Sequence, residues 1–254
     1  MVPTRHGDIL VRHARRMEFE YRHALAEIAA AGGAHSLLRI GAGPLWYTYL
    51  LPQVLGRFLA DHPQARVRVQ SGVISTLVPT LQAGQFDLIC TTLDFPPQAG
   101  IVREPVIEAS HTVMARRDHP LHARAEAGSP ATAADLSRFR WITLADDEVG
   151  SGRIQSYFAA NGVPPRFAIE TSSPTHMFEM LARIDLLAHI PVRMVPLARR
   201  FGLEPIPVDG AFWTAEAGIC YRQTDIPAPN LERMVASIRA LGVDLRNDPG
   251  AAMD

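Results

Sequence analysis

The stretch LLRIGAGPLWYTYLLPQVLGRFLADHPQARVRVQSG, residues 37–72, decides the fold. LLRIG is a short apolar run that ends in glycine and reads as a strand. LLPQVLGRFLA has helical period, with Leu51, Val54, Leu55, Phe58 and Leu59 on one side. Asp61-His62-Pro63 ends that helix, because proline resists continuation. VRVQ is the next strand, STLVPTLQAG a helix closed by Gly84, and FDLICTT and IVREPVIE two further strands. Apolar strands alternating with helices imply a mostly parallel sheet covered on both faces.

Residues 110–216 repeat the alternation. HTVMAR reads as a strand, followed by Asp118-His119-Pro120-Leu121 and a Pro/Ala/Gly-rich loop at 123–133. ADLSRF is a short helix, WITL a strand, GRIQSYFAANG a helix and FAIETSS a strand. THMFEMLARI, LLAHIP and VRMVPLARRFG add a helix, a strand and a helix. Two similar α/β blocks in tandem predict two lobes rather than one large sheet. Residues 217–245 supply a last strand, GICYRQ, and a last helix, LERMVASIRALG, and the polar tail 246–254 is expected to fray.

Ahead of these blocks, residues 4–30 read as one helix. Leu10, Ala14, Met17, Tyr21, Ala24 and Ile28 recur at alternating intervals of four and three, the seam of a two-helix contact. A helix packed on its own domain is the other reading. The other positions are mostly polar or alanine, and so narrow an apolar face favours a partner helix. The segment stops at Ala31-Gly32-Gly33.

Composition narrows the chemistry. The 254 residues suit one or two domains, and 47% apolar with 20% charged residues is a soluble globular balance. All 25 basic residues are arginine. Without lysine in this chain there is no P-loop lysine, pyridoxal-phosphate lysine, kinase phosphate-pairing lysine or Schiff-base aldolase. A net charge of −1 is not that of a polyelectrolyte partner for nucleic acid. Residues 1–23 carry a mild basic bias, with Arg5, Arg12, Arg15, Arg16 and Arg22 against Asp8, Glu18 and Glu20. Cys90 and Cys220 sit inside apolar runs and read as buried reduced thiols. The charged N-terminus is not a secretory signal and no apolar run is long enough to span a membrane, so the cytoplasm is the expected compartment.

Catalytic constellations are thin. There is no HExxH, CxxC pair or GxSxG, and Ser151 in Gly150-Ser151-Gly152 lacks the spacing of a nucleophile elbow. His111, His119 and His122 read as surface loop histidines. No metal, no cofactor and no enzymatic activity are expected. Gly41-Ala42-Gly43-Pro44-Leu45-Trp46 follows a strand, precedes a helix and has Asp61 about 20 residues on, close to a dinucleotide fingerprint. Trp46, however, stands where that fingerprint needs glycine. The same turn could instead offer backbone N–H groups and a helix-dipole end to an anionic or polar ligand. Val149-Gly150-Ser151-Gly152-Arg153 is a second such turn. Two ordinary strand–helix turns remain the third reading.

The ordered series LRIGAGPLWYTYLLPQVLGRFLADHPQARVRVQSG, LVPTLQAGQFDLI, VREPVIEASHTVMARRDHPL and FAIETSSPTHMFEMLARIDLLAHIP resembles the effector-binding region of LysR-type transcriptional regulators. Residues 1–7 resemble the end of that family's winged helix-turn-helix, and 8–33 its dimerising linker helix. The resemblance implies an α/β fold: a two-lobed, periplasmic-binding-protein-like effector domain over 34–254, preceded by a long dimerising helix. Lobe one would be 37–109 plus 222–245 and lobe two 110–221, with crossings near Ser110 and Tyr221. It also implies a small organic effector in the interlobe cleft, self-association as dimer or tetramer, and promoter contact only through a helix-turn-helix whose recognition helix this sequence does not show.

Carried over by position, the effector-binding candidates are Gly43, Pro44, Leu45, Val73 and Thr92 in lobe one. In lobe two they are Ser151, Arg153, Ser173 and Thr175. The sequence departs from the family where Gly43 and Val73 replace the usual hydroxyl residues, which favours a greasier ligand or one held by backbone N–H groups. The family's Gly-x-Gly before a lobe-two strand reads Ile184-Asp185-Leu186. Arg153 either grips a carboxylate bidentately or pairs with Asp146 or Glu148 at the surface. The alternative functions are a cytoplasmic small-ligand binding protein of solute-receptor fold and a nucleotide-dependent enzyme.

Overall fold

The computed structural model describes residues 37–247 except 127, 209–211 and 224–227, together with positions 4, 6, 7, 10, 11, 14, 17, 21 and 24. Of those N-terminal positions, Leu10, Ala14, Met17, Tyr21 and Ala24 are helical and exposed, while Ile28 lies outside the described residues. The chain forms two compact units. One runs up to Val106 and includes Ala217–Asp244; the other is Ile107–Glu216 with the residues from Leu245 on.

In the first unit, β1 (Leu37–Ala42) lies between β2 (Arg66–Ser71) and β3 (Leu88–Thr92), parallel to both. β3 is near-continuously apolar because helices cover the sheet on both faces; Leu88, Ile89 and Cys90 have no exposure. β2 is the edge strand, and its Arg66 and Arg68 are charges of the kind that discourage another strand from adding there. Helices α1 (Leu51–Asp61) and α2 (Ile74–Gln82) bury Leu51, Val54 and Phe58, and Leu77, Val78 and Leu81. Leu59, expected on the apolar side of α1, is exposed. A Cβ at Gly41 would stand 2.7 Å from both Leu77 and Phe86, so glycine lets α2 seat closely on β1.

The second unit repeats this topology. β5 (Arg140–Leu144) lies between β6 (Arg166–Thr171) and β7 (Leu186–Pro191), again parallel to both. Trp141, Ile154, Phe158, Leu136 and Leu187 are fully buried at its core, with Trp141 edge-on to Phe158 at 5.7 Å. Each unit closes with an antiparallel strand. β9 (Trp213–Arg222) pairs with β3 from Ala217 to Tyr221, and β4 (Ile101–Arg116) pairs with β7 from His111 to Met114.

Several expectations are corrected. IVREPVIE and HTVMAR are one strand, β4; the polar residues Glu108, Ser110 and His111 interrupt its apolar pattern but not its backbone. Pro120 opens a helix, α3 (Pro120–Glu126), that runs into the loop expected at 123–133, since proline suits a first helical position, and α4 (Ala133–Leu136) follows. β8 (Leu203–Ile206), too short to show a period, pairs with β4. The two units divide at Val106–Ile107, Glu216–Ala217 and Asp244–Leu245. His111 lies in a strand and His119 is 2% exposed, so neither is a surface loop histidine. No helix among the described residues is long and apolar enough to cross a membrane.

Candidate functional site

In open α/β sheets, ligands bind outside the carboxyl ends of the strands. In the first unit those ends are level, with Ala42 opposite Ser71 on one side and Cys90 on the other. Gly43, Val73 and Thr92 follow or close these three strands, so the structure brings them to one sheet end. Gly43 donates its N–H to the Cys90 carbonyl at 2.8 Å and accepts from Tyr47 N–H at 2.8 Å. Pro44, half-buried, and Leu45, buried, start the helical segment that becomes a π-helical turn at Trp46–Leu50.

Trp46 is 1% exposed, a core side chain at the position where a dinucleotide loop needs glycine. Val73 caps α2 through its backbone. Its N–H donates to the Thr76 hydroxyl at 3.2 Å, and its carbonyl accepts from Leu77 N–H at 2.8 Å. Thr76 thus brings a hydroxyl to the turn where Val73 lacks one, a residue that positional matching missed.

In the second unit, Ser151 and Arg153 lie on helix α5 (Glu148–Ala160), after the end of β5. Ser173 and Thr175 lie at the start of helix α6 (Pro174–Leu181), after β6. Leu144 and Thr171 pair at those strand ends, so the four candidates come from adjacent connections. Ser173 is the N-cap of α6, its hydroxyl accepting from His176 N–H at 3.3 Å. Thr171 shares a 2.8 Å hydrogen bond with Nδ1 of His176. Ser151 is half-buried, Arg153 and Thr175 are exposed.

A cluster absent from the sequence-derived set lies beside them. Asp147 caps α5, its carboxylate accepting from Gly150 N–H at 3.0 Å. The same carboxylate faces Nε2 of His189, from β7, at 3.7 Å. Nδ1 of His189 faces Nδ1 of His111, from β4, at 3.5 Å. Trp213 stacks on His111 with ring centres 4.7 Å apart and lies 5.0 Å from His189. Burial holds both imidazoles below their usual proton affinity. His111 falls to about 3, with the charges of His189 and Arg153 adding to the effect, whereas the Asp147 carboxylate partly offsets burial at His189. No sequence signal joins these residues, because Asp147, His189 and His111 come from three separate elements.

The thiols are inert by environment: burial raises Cys90 above the usual thiol range and Cys220 to about 11. Among the described residues, no group of three or more His, Cys, Asp or Glu is placed to hold a metal ion.

Two α/β units, each with a parallel strand order closed by an antiparallel strand, define a fold of the periplasmic-binding-protein type. The LysR substrate binding domain family matches residues 13–242, and the chain belongs to that family. Its relatives are bacterial transcriptional regulators. GalR of Pseudomonas putida is 26% identical over 238 residues, 89% of this chain and 58% of the relative. GbpR of Azospirillum brasilense is 27% identical over 253 residues, 94% of this chain and 70% of the relative. The chain thus spans little more than half the length of GalR.

Solved structures agree on the fold. The effector binding domain of QuiR in complex with shikimate has a TM-score of 0.69 at 14% identity, covering 83% of this chain and 99% of that one. Full-length CbnR complexed with target DNA has a TM-score of 0.66 at 19% identity, covering 95% and 84%.

Proposed function

We propose that this chain is the effector-binding region of a LysR-type transcriptional regulator, working in the cytoplasm on a small organic carboxylate. The family match over residues 13–242 carries this reading. Two proteins of the same fold support the choice of ligand class: QuiR was solved with shikimate and BenM with its effector benzoate, both carboxylates. Gly43, Pro44, Leu45, Val73 and Thr92 in one unit, and Ser151, Arg153, Ser173 and Thr175 in the other, are the contacts, with Arg153 the carboxylate partner.

Binding acts by population shift: the effector favours the state it holds more tightly, and the change passes to a self-associated assembly. Leu10, Ala14, Met17, Tyr21, Ala24 and Ile28 form the self-association seam. The exposure of Leu10, Met17 and Tyr21 at 67%, 64% and 66% supports that role, since an apolar helical stripe left in water is a partner surface. Promoter DNA is contacted by a helix-turn-helix, as the full-length CbnR complex with DNA suggests by analogy. The protein senses its ligand and releases it unchanged.

A thermal-shift screen against organic acids, aromatic carboxylates, amino acids and nucleotides tests this reading. A ligand at 100 times its Kd stabilises the fold by about 2.7 kcal/mol. The expected result is a hit among carboxylates that Arg153→Ala removes, with the ligand recovered unaltered. A hit confined to nucleotides would overturn it.

A further inference from the structure

The Asp147, His189 and His111 side chains form a polar chain whose proton order follows from its charged end. A carboxylate accepts and never donates at neutral pH, so facing it the neutral His189 ring places its hydrogen on Nε2. Nδ1 of His189 is then bare and can only accept. The ring facing it, His111, must place its hydrogen on Nδ1 to donate across the 3.5 Å gap. Nε2 of His111 is left as a bare acceptor, and it is buried with no hydrogen-bond partner. Gly150 holds the chain together at its charged end, where a Cβ would meet the Asp147 carboxylate and stand 2.6 Å from the His189 ring.

The cluster lies beside the proposed carboxylate site: Asp147 caps α5, the helix that carries Ser151 and Arg153, and Gly150 on its first turn packs against the His189 ring. The Trp213 ring stacked on the imidazole is itself partly exposed, so it is the side chain that would swing away to admit a ligand group.

We propose that this chain is a specificity element: it presents His111 Nε2 to a hydroxyl, or another hydrogen-bond donor, on the same effector whose carboxylate Arg153 holds. The substrate class narrows from carboxylates to hydroxycarboxylic and phenolic acids. The proposal rests on the effector-binding reading above and adds to it a requirement for a donor. A site built around an unpaired buried acceptor discriminates strongly against a ligand that leaves it unpaired.

Matched pairs of acids test it: benzoate against its three monohydroxy derivatives, and cyclohexanecarboxylate against its monohydroxy derivatives. Binding is measured to the full chain by calorimetry and by tryptophan fluorescence, to which Trp213, the indole stacked on His111, contributes the site's own signal. In the wild type, at least one hydroxy acid is expected to bind about tenfold or more tighter than its parent. The ratio should fall to near one in His111→Phe. It should also fall in Asp147→Asn, which keeps a helix-capping side chain but releases the tautomer anchor.

Equal binding of parent and hydroxy acids to wild type would overturn the specificity element and leave the carboxylate reading standing. So would a ratio that both variants preserve. Failure of every acid to bind wild type would overturn both. A ligand-free measurement decides the proton order: nitrogen-15 shifts showing hydrogen on His111 Nε2 would overturn it.

Discussion

Nδ1 of His111 and Nδ1 of His189 face each other at 3.5 Å across the antiparallel pairing of β4 with β7. Two like ring nitrogens can share only one hydrogen, so the pair is stable as one donor and one acceptor, and protonating both rings would set like charges against each other. Burial and the nearby Arg153 charge oppose protonation further, while Asp147 favours it at His189.

Stability should therefore depend on acid in a defined direction. His111 and His119 are held at about 3 and about 4, chiefly by burial, against 6.5 when unfolded, and His189 is lowered too. The unfolded chain binds more protons below 6.5, so stability is full above that pH and is lost as pH falls toward 4 and 3. The loss approaches roughly 1.4 kcal/mol per pH unit for each histidine. Urea unfolding at pH 7.5, 6, 5 and 4.5 measures it; a midpoint unchanged down to 4.5 would contradict the buried neutral state.

Two glycines on one helix should respond oppositely to alanine. A Cβ at Gly150 collides with Asp147 and His189, whereas one at Gly152 meets nothing within 4 Å. Gly150→Ala should cost about 1–3 kcal/mol. Gly152→Ala should gain up to about 1 kcal/mol from helix propensity. Thermal unfolding of both, side by side, separates crowding from propensity.

Phe158 is fully buried in the second unit's core, packed edge-on to Trp141 and Tyr157. Phe158→Ala should destabilise by about 3–5 kcal/mol. Exposed Phe167, on edge strand β6, should cost under about 1 kcal/mol on the same change. A denaturant series that ranks the two the other way would contradict the assigned core.

Self-association should depend on the N-terminal seam. Met17→Glu with Tyr21→Glu places charge where two apolar stripes would meet, and should shift sedimentation toward monomer at micromolar concentration while leaving the unfolding midpoint of the α/β units in place. A wild type that sediments only as monomer would remove the seam's role.

Much of the architecture is legible residue by residue. Leu38 and Ile40 alternate inward, Leu51, Val54 and Phe58 follow helical period, and Gly84, with φ of 73°, closes α2 where the turn needs a left-handed residue. These features depend on neighbours a few residues apart. β8 was not legible, since its four residues become a strand by pairing with β4. Gly43, Val73 and Ser173 were legible as turns that follow strands, whereas Val149–Arg153, read as such a turn, lies within α5.

What the sequence by itself determined is local: period, turns, the tandem α/β blocks and the all-arginine chemistry, each carried by residues adjacent along the chain. Only the tertiary structure decided that His111, His189, Asp147 and Trp213 meet. Three of them stand on strands and one on a helix cap, and pairing between strands far apart along the chain, such as β4 with β7, brings them together without leaving a spacing in the sequence. The same folding decided the histidines' charge, because burial, which opposes protonation, is a property of the packed unit and not of the residue.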